Sequence, residues 1–274
     1  MNCYFGHHRS GSSYVRAILE RLFVLQGLTT ATVHREEDLA PLTSTDLLIL
    51  TNASLSSSQK INYSRGFHII RDPRDVEISS YFSHRYCHKT NIWKELVTHR
   101  LFLESLDFNE GLTHEITVCR KQQFEDMAGW NYDNPGILEI KFENLIKDPQ
   151  ITWANILDHI GIKTGGNPLL SNILLLHNKI INSISMRSKL DFNKWMCITK
   201  KGLSEKQVQT TLEKFSFENL SGRPKGFEDV QNHYRKGTSG DCKNYFTDTH
   251  KRLFQEQYGE LLIHLDYERN TDWT

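Results

Sequence analysis

Three stretches of this chain gather the residue types that grip an oxyanion. The first, Gly6-His7-His8-Arg9-Ser10-Gly11-Ser12-Ser13, has the glycine spacing of the GxxxxGK(S/T) phosphate loop. A turn of this kind points consecutive backbone N–H groups and the positive end of the following helix at an anion, and Ser10, Ser12 and Ser13 add hydroxyl donors. Ser12 stands where the loop's lysine would bridge the β- and γ-phosphates of ATP, and no clear carboxylate follows a strand to hold magnesium. ATP therefore fits poorly. The second stretch, His68-Ile69-Ile70-Arg71-Asp72-Pro73-Arg74-Asp75-Val76-Glu77-Ile78-Ser79, puts Arg71 at a strand end and Ser79 two helical turns later, where both reach one phosphate. Arg74 and Asp75 read as helix-end salt bridges. The third, Arg235-Lys236-Gly237-Thr238-Ser239-Gly240, sets two cations before a glycine-flanked turn that can wrap a phosphate.

Arg9 puts a permanent charge inside the first loop, where a guanidinium offers several donors to a tetrahedral oxyanion. That suits sulfuryl transfer: a sulfuryl group carries less negative charge than a γ-phosphoryl, so amides and one cation can stabilise an in-line displacement without a metal.

The elements around these stretches follow from apolar spacing. Tyr4 and Phe5 lead into the loop, and Val15, Ile18, Leu19, Leu22 and Phe23 recur at helical spacing up to Gly27. Leu47 to Leu50 and Phe67 to Ile70 are short apolar runs, as expected of parallel strands buried on both faces. Asp72-Pro73 supplies an N-cap and a first-turn proline for a helix running to about Ser83. Residues 92 to 130 read as mainly helical, Ile137 to Phe142 as a further strand, and 150 to 160 as a helix closed by Gly161. Leu203 to Phe215 and Thr249 to Leu265 read as amphipathic helices, with 218 to 241 as a long functional loop. Strands alternating with helices predict a three-layer αβα fold with a mainly parallel sheet, whose ligand lies at the carboxyl ends of the strands. The 274 residues are expected to form one domain, 1–274.

Lysine plus arginine equal aspartate plus glutamate at 33 each, so no global field would gather nucleic acid or an anionic membrane. The five cysteines, Cys3, Cys87, Cys119, Cys197 and Cys242, are scattered and lack a CxxC pair, which argues against a disulfide framework or a zinc site. No apolar leader opens the chain, so a cytoplasmic location is expected.

On these residues the chain resembles the PAPS-dependent sulfotransferase family. RSGSSYVRAIL resembles its 5'-phosphosulfate loop, IIRDPRDVEISSYFSH its 3'-phosphate motif, and RKGTSGDCKNYFT the carboxyl-terminal RKGxxGDWKNxFT segment of the cytosolic branch. The segments Ile140-Lys141-Phe142-Glu143-Asn144-Leu145 and Phe215-Ser216-Phe217-Glu218-Asn219-Leu220 look like its KYEDL and TSFxxM types. The resemblance implies PAPS as donor, PAP as product and no metal. It gives Arg9, Ser10, Gly11, Ser12, Ser13 and Tyr14 to the 5'-phosphosulfate, with Tyr14 in place of a tryptophan near adenine. Arg71, Ser79, Arg235, Lys236 and Gly237 fall to the 3'-phosphate, and Phe142 and Phe217 flank the adenine.

One departure bears on mechanism. The cytosolic branch carries a proton-accepting histidine in a KTH-like segment, which here reads Leu50-Thr51-Asn52. A second branch, whose RSGSS loop is also similar, uses a glutamate soon after the loop's helix. The corresponding region holds Glu37, slightly favoured as base, with Glu36 and His34 as alternatives. His7, His8, His84 and His88 read as polar neighbours or packing residues. The expected activity is sulfuryl transfer to a hydroxyl or amine of a small-molecule acceptor, such as a microbial secondary metabolite. The acceptor would enter from the side of residues 30 to 60 and 85 to 110. No nucleic acid or membrane partner is expected, and the reading leaves room for a homodimer. A nucleotide kinase and a non-catalytic PAPS-binding protein are the alternatives.

Overall fold

The computed structural model describes residues 1–39, 45–91, 93–119, 121–164, 177, 180–181 and 202–273. Cys197 lies outside them. Five strands form one sheet, β1 (Asn2–Gly6), β2 (Thr30–Val33), β3 (Leu47–Leu50), β4 (Gly66–Ile70) and β5 (Ile137–Lys141), in the order β2-β3-β1-β4-β5 with every pairing parallel. β2 was not expected. Its four residues Thr-Ala-Thr-Val are only half-buried, because an edge strand pairs on one side and needs no continuous apolar run.

Successive side chains of the central strands point to opposite faces, and both faces are covered. Tyr4, Leu47, Ile49, Phe67 and Ile69 pack with α1 (Ser12–Gln26), α8 (Pro149–His159) and α9 (Glu205–Lys214). Cys3, Phe5, Leu48 and Leu50 pack on the other face with Ala53, Ile61 and Trp130. A further apolar cluster joins α3 (Pro73–Phe82) to α12 (Asp248–His264) through Val76, Ile78, Phe254 and Leu262.

The other helices placed in full among the described residues are α2 (Ser57–Lys60), α4 (Leu96–Ser105), α5 (Phe108–His114), α6 (Lys121–Ala128), α7 (Phe142–Lys147), α10 (Phe217–Ser221) and α11 (Cys242–Tyr245). The strand expected through Phe142 ends at Lys141, and Phe142 opens α7. The region expected to be mainly helical from 92 to 130 is so, as α4, α5 and α6, but α5 runs into a π-helical turn, Glu115–Cys119, and α3 likewise runs into another, Ser83–Cys87.

Candidate active site

Every strand of the sheet is parallel, so the carboxyl ends of β1, β2, β3 and β4 deliver their following loops to one edge. There a cavity of about 1310 Å³ opens, bordered by His7, Arg9, His34, Asn52, Arg71 and Phe142. The loop after β1 turns through left-handed backbone at Arg9 (φ 62°) and Gly11 (φ 85°) before α1 begins at Ser12. A left-handed non-glycine residue costs about 1 kcal/mol or more, which the loop tolerates where Arg9 stands.

Arg9 Nε donates to Ser79 Oγ at 2.9 Å, and Arg9 Nη1 lies 3.5 Å from His233 Nδ1. Arg71 Nη1 donates to the Arg9 carbonyl at 3.1 Å, and its guanidinium lies 5.1 Å from the centre of the Phe142 ring. The first and second stretches, far apart in sequence, therefore touch. The reason is the register of β1 against β4, where Gly6 pairs with Ile69 and the two strands end side by side.

Asp75 ties the third stretch to the second. Its carboxylate accepts from Gly240 N at 2.6 Å and from Cys242 N at 2.9 Å. Asp72 caps α3, accepting from Arg74 N at 2.9 Å, and pairs with Arg74 Nη2 at 2.8 Å. The salt-bridge reading of Arg74 and Asp75 thus describes their contacts, though Asp75 chiefly receives backbone donors.

Arg235 is nearly buried between the carboxylates of Glu228 and Asp241, and Lys236 Nζ donates to Asp241 Oδ1 at 2.6 Å. Burial draws the Arg235 guanidinium's pKa down, but the two carboxylates outweigh it and raise it. Burial pulls the Asp241 carboxyl up, yet hydrogen bonds from Lys236 and Asn244 and the charge of Arg235 hold it below its ordinary range. Asp241 stands inside the RKGTSGD motif, but Glu228 lies outside it and only the fold brings it to Arg235.

Two glycines pack directly against two aromatic rings. A Cβ added at Gly11 would run into the Phe142 ring, and one added at Gly237 (φ 71°) into the Phe217 ring. Ser216 caps α10 through Asn219 N at 3.3 Å and so sets Phe217 at the helix start. Both rings, with Tyr14, Ser13, Lys236 and Gly237, border the cavity. Ser12 also borders it, but its hydroxyl sits within 3.1 Å of the His7 carbonyl and 3.3 Å of the Tyr4 hydroxyl. Ser10 is fully buried beneath the loop and is not among the cavity's lining residues.

Among the proton-accepting candidates, Glu37 and His34 border the cavity, and His34 Nδ1 lies 3.0 Å from Thr51 Oγ1. Glu36 stands in the short turn Glu36–Asp38, and its side chain lies outside the described residues. Asn52 faces the cavity at the end of β3, with no imidazole on that strand.

A buried relay went unread in the sequence. Glu139 Oε2, on β5, lies 2.6 Å from His68 Nδ1 on β4, and His68 Nε2 lies 2.8 Å from His7 Nε2 beyond the end of β1. If the carboxylate accepts from His68 Nδ1–H, His68 Nε2 must accept from His7 Nε2–H, which leaves His7 Nδ1 with a lone pair. Burial and the neighbouring His68 push the His7 pKa well down, so His7 is neutral. Only strand order brings these three residues together.

A parallel α/β sheet with a cavity at its strand ends that gathers Arg9, Arg71 and Lys236 defines the class. A family model for the sulfotransferase domain matches residues 35–266, and the chain belongs to that family. The match begins beyond the Gly6–Ser13 loop. Curated relatives include "Sulfotransferase 2A6" of Mus musculus, 24% identical over 78% of this chain. A second is "3-alpha-hydroxysteroid sulfotransferase" of Cavia porcellus, 26% identical over 79%. The aligned part spans 60% of the length of each of these relatives. Similar solved structures include mouse sulfotransferase SULT7A1 complexed with PAP, with TM-score 0.57, 17% identity and coverage of 98% of this chain and 86% of that one. Retinol dehydratase in complex with androsterone and the inactive cofactor PAP gives a TM-score of 0.53, 16% identity and coverage of 95% and 80%. At these identities the likeness establishes the fold. Among the described residues no helix is long and apolar enough to cross a membrane.

Proposed function

We propose that this chain transfers a sulfuryl group from PAPS to a hydroxyl or amine of a small-molecule acceptor, releasing PAP. The observation that carries the reading is the pairing of Gly11 with Phe142 and Gly237 with Phe217 on the cavity that also receives Arg9, Arg71 and Lys236. Flat aromatic surfaces beside guanidinium and ammonium groups suit a nucleobase flanked by charged phosphates. One donor on the cavity fits the same ligand: Arg71 Nε is buried without a protein partner among the described residues. Such a group points to an absent anion.

Bound PAPS supplies a sulfuryl group whose bond to the 5'-phosphate oxygen breaks as the acceptor's bond to sulfur forms. Arg9 and the amides of residues 10–13 hold the oxygens at the breaking bond. Arg71, Ser79, Arg235, Lys236 and Gly237 hold the 3'-phosphate, and Phe142, Phe217 and Tyr14 hold the adenine. Glu37, or its neighbours His34 and Glu36, accepts the proton that the acceptor loses. A cytoplasmic enzyme acting on a metabolite, microbial secondary metabolites included, agrees with the free cysteines Cys3, Cys87, Cys119 and Cys242.

Membership of the sulfotransferase family weighs against a nucleotide kinase. Asn52 at the end of β3 favours a second reading, a PAPS-binding protein without turnover. Calorimetric titration with PAP and incubation of sulfur-labelled PAPS with a metabolite extract decide between them. Micromolar PAP binding with a labelled product supports the transferase, binding without product supports the second reading, and no PAP binding refutes both.

A further inference from the structure

We propose that His84, His99 and Glu115 form a binding site for a divalent cation of the zinc type, behind the part of the cavity wall that Cys119 and His8 border. The Glu115 carboxylate is fully buried, with its Oε1 2.9 Å from His84 Nδ1 and 2.7 Å from His99 Nε2. Cys119 Sγ lies 3.5 Å from the same His99 nitrogen. The three ligand atoms of His84, His99 and Glu115 lie within 4.8 Å of one another, and so do those of His99, His114 and Cys119.

His99 Nε2 carries at most one proton, yet it faces both a carboxylate oxygen and a sulfur. Both imidazole nitrogens converge on one carboxylate oxygen, so a cation that displaces their protons finds its ligands already grouped. Tetrahedral zinc with bonds of about 2.0–2.3 Å keeps its ligands roughly 3.3–3.6 Å apart. The observed 2.7, 2.9 and 3.5 Å need only small side-chain rotations to match. Two imidazoles and a carboxylate with a thiol nearby suit zinc, whereas magnesium and calcium prefer oxygen alone.

The backbone supplies an independent sign. His84 lies in the π-helical turn Ser83–Cys87, and Glu115 and Cys119 lie in the turn Glu115–Cys119. Such turns are rare and recur at functional sites, and here both aim at one cluster. Arg100 pins the first turn by donating to the carbonyls of His84 at 2.7 Å and His88 at 2.6 Å. The cluster has an entry path, because Cys119 and the His8 ring that stacks on His84 border the cavity.

The test uses the full chain without a histidine tag, stripped with a chelator and titrated with zinc against a chromophoric competitor. The wild type should bind one equivalent with a submicromolar Kd, and saturating zinc should raise its Tm by several degrees. Glu115→Gln, which keeps the shape and hydrogen bonding, should weaken zinc at least tenfold, the scale of a lost ligand. Glu115 is buried, so His99→Asn provides a second variant at a partly exposed position and should act alike. Circular dichroism of the metal-free proteins checks that both fold. Zinc binding no tighter than about 100 μM in the wild type, or equal binding by wild type and both folded variants, overturns the site. PAP affinity measured in parallel separates this outcome from a failure of the nucleotide reading.

Discussion

Replacing Gly237 by alanine tests the nucleotide cradle against a matched control. Gly237 has φ 71° and Gly240 has φ 75° in the same loop, so alanine strains the backbone about equally at either position. That strain costs about 1–2 kcal/mol of stability. They differ in surroundings: a Cβ at Gly240 meets nothing within 4 Å, whereas one at Gly237 drives into the Phe217 ring. If Phe217 stacks on adenine, displacing it removes about 1–3 kcal/mol, the range for aromatic–base stacking. That amount corresponds to roughly 5- to 150-fold in Kd. Denaturant unfolding should therefore show at least as much destabilisation for Gly237→Ala as for Gly240→Ala, because the Phe217 ring must also move, while calorimetry with PAP should show a weakened Kd for Gly237→Ala alone. Equal PAP affinity in the two variants would refute the assignment of Phe217 to the base.

Arg9→Ala should abolish sulfuryl transfer, and Arg9→Lys, which keeps the charge but loses the fork that reaches Ser79 and His233, should retain only part of it; near wild-type turnover of labelled PAPS by Arg9→Ala would contradict the role. Glu37→Gln should depress turnover and leave PAP affinity intact, and unchanged turnover removes Glu37 as base. Arg235→Ala strips a buried cation from Glu228 and Asp241 and should cost about 3–5 kcal/mol in urea unfolding, alongside weaker PAP binding. His233 responds to pH: although the residue is solvent-exposed, desolvation of its ring against the cavity wall, then the charge of Arg9, push its pKa down from 6.5 to about 4. Its folded imidazole stays neutral while the unfolded one gains a proton, so its contribution to stability is complete above about 6.5 and declines as pH falls toward 4. A phosphate or sulfate group beside Arg9 favours the imidazolium, so PAP binding at about pH 5.5 should take up protons. Heats of binding that do not vary between buffers of different ionisation enthalpy would place the anion away from His233.

Much of the scaffold was legible. β1, β3, β4 and β5 each carry apolar residues that a doubly covered parallel sheet demands, and Asp72-Pro73 announces α3 through capping chemistry that is local to the chain. β2 escaped because an edge strand can alternate threonine with small residues. The π-helical turns escaped because their apolar spacing is close to that of an α-helix, and the extra residue is imposed by packing.

By itself the sequence determined which segments can turn around an anion, since glycine spacing, helix starts and adjacent cations act within a few residues of one another. Tertiary structure alone decided which of these groups meet. Arg9 touches Ser79, and His7 reaches Glu139 through His68, because β1 lies next to β4 and β4 next to β5. The scattered cysteines gave no hint of a metal site, yet helix packing sets Cys119 beside His99 and Glu115 between two imidazoles. Spacing along a chain fixes local contacts; strand order and helix packing join residues many positions apart, and no short motif encodes that order.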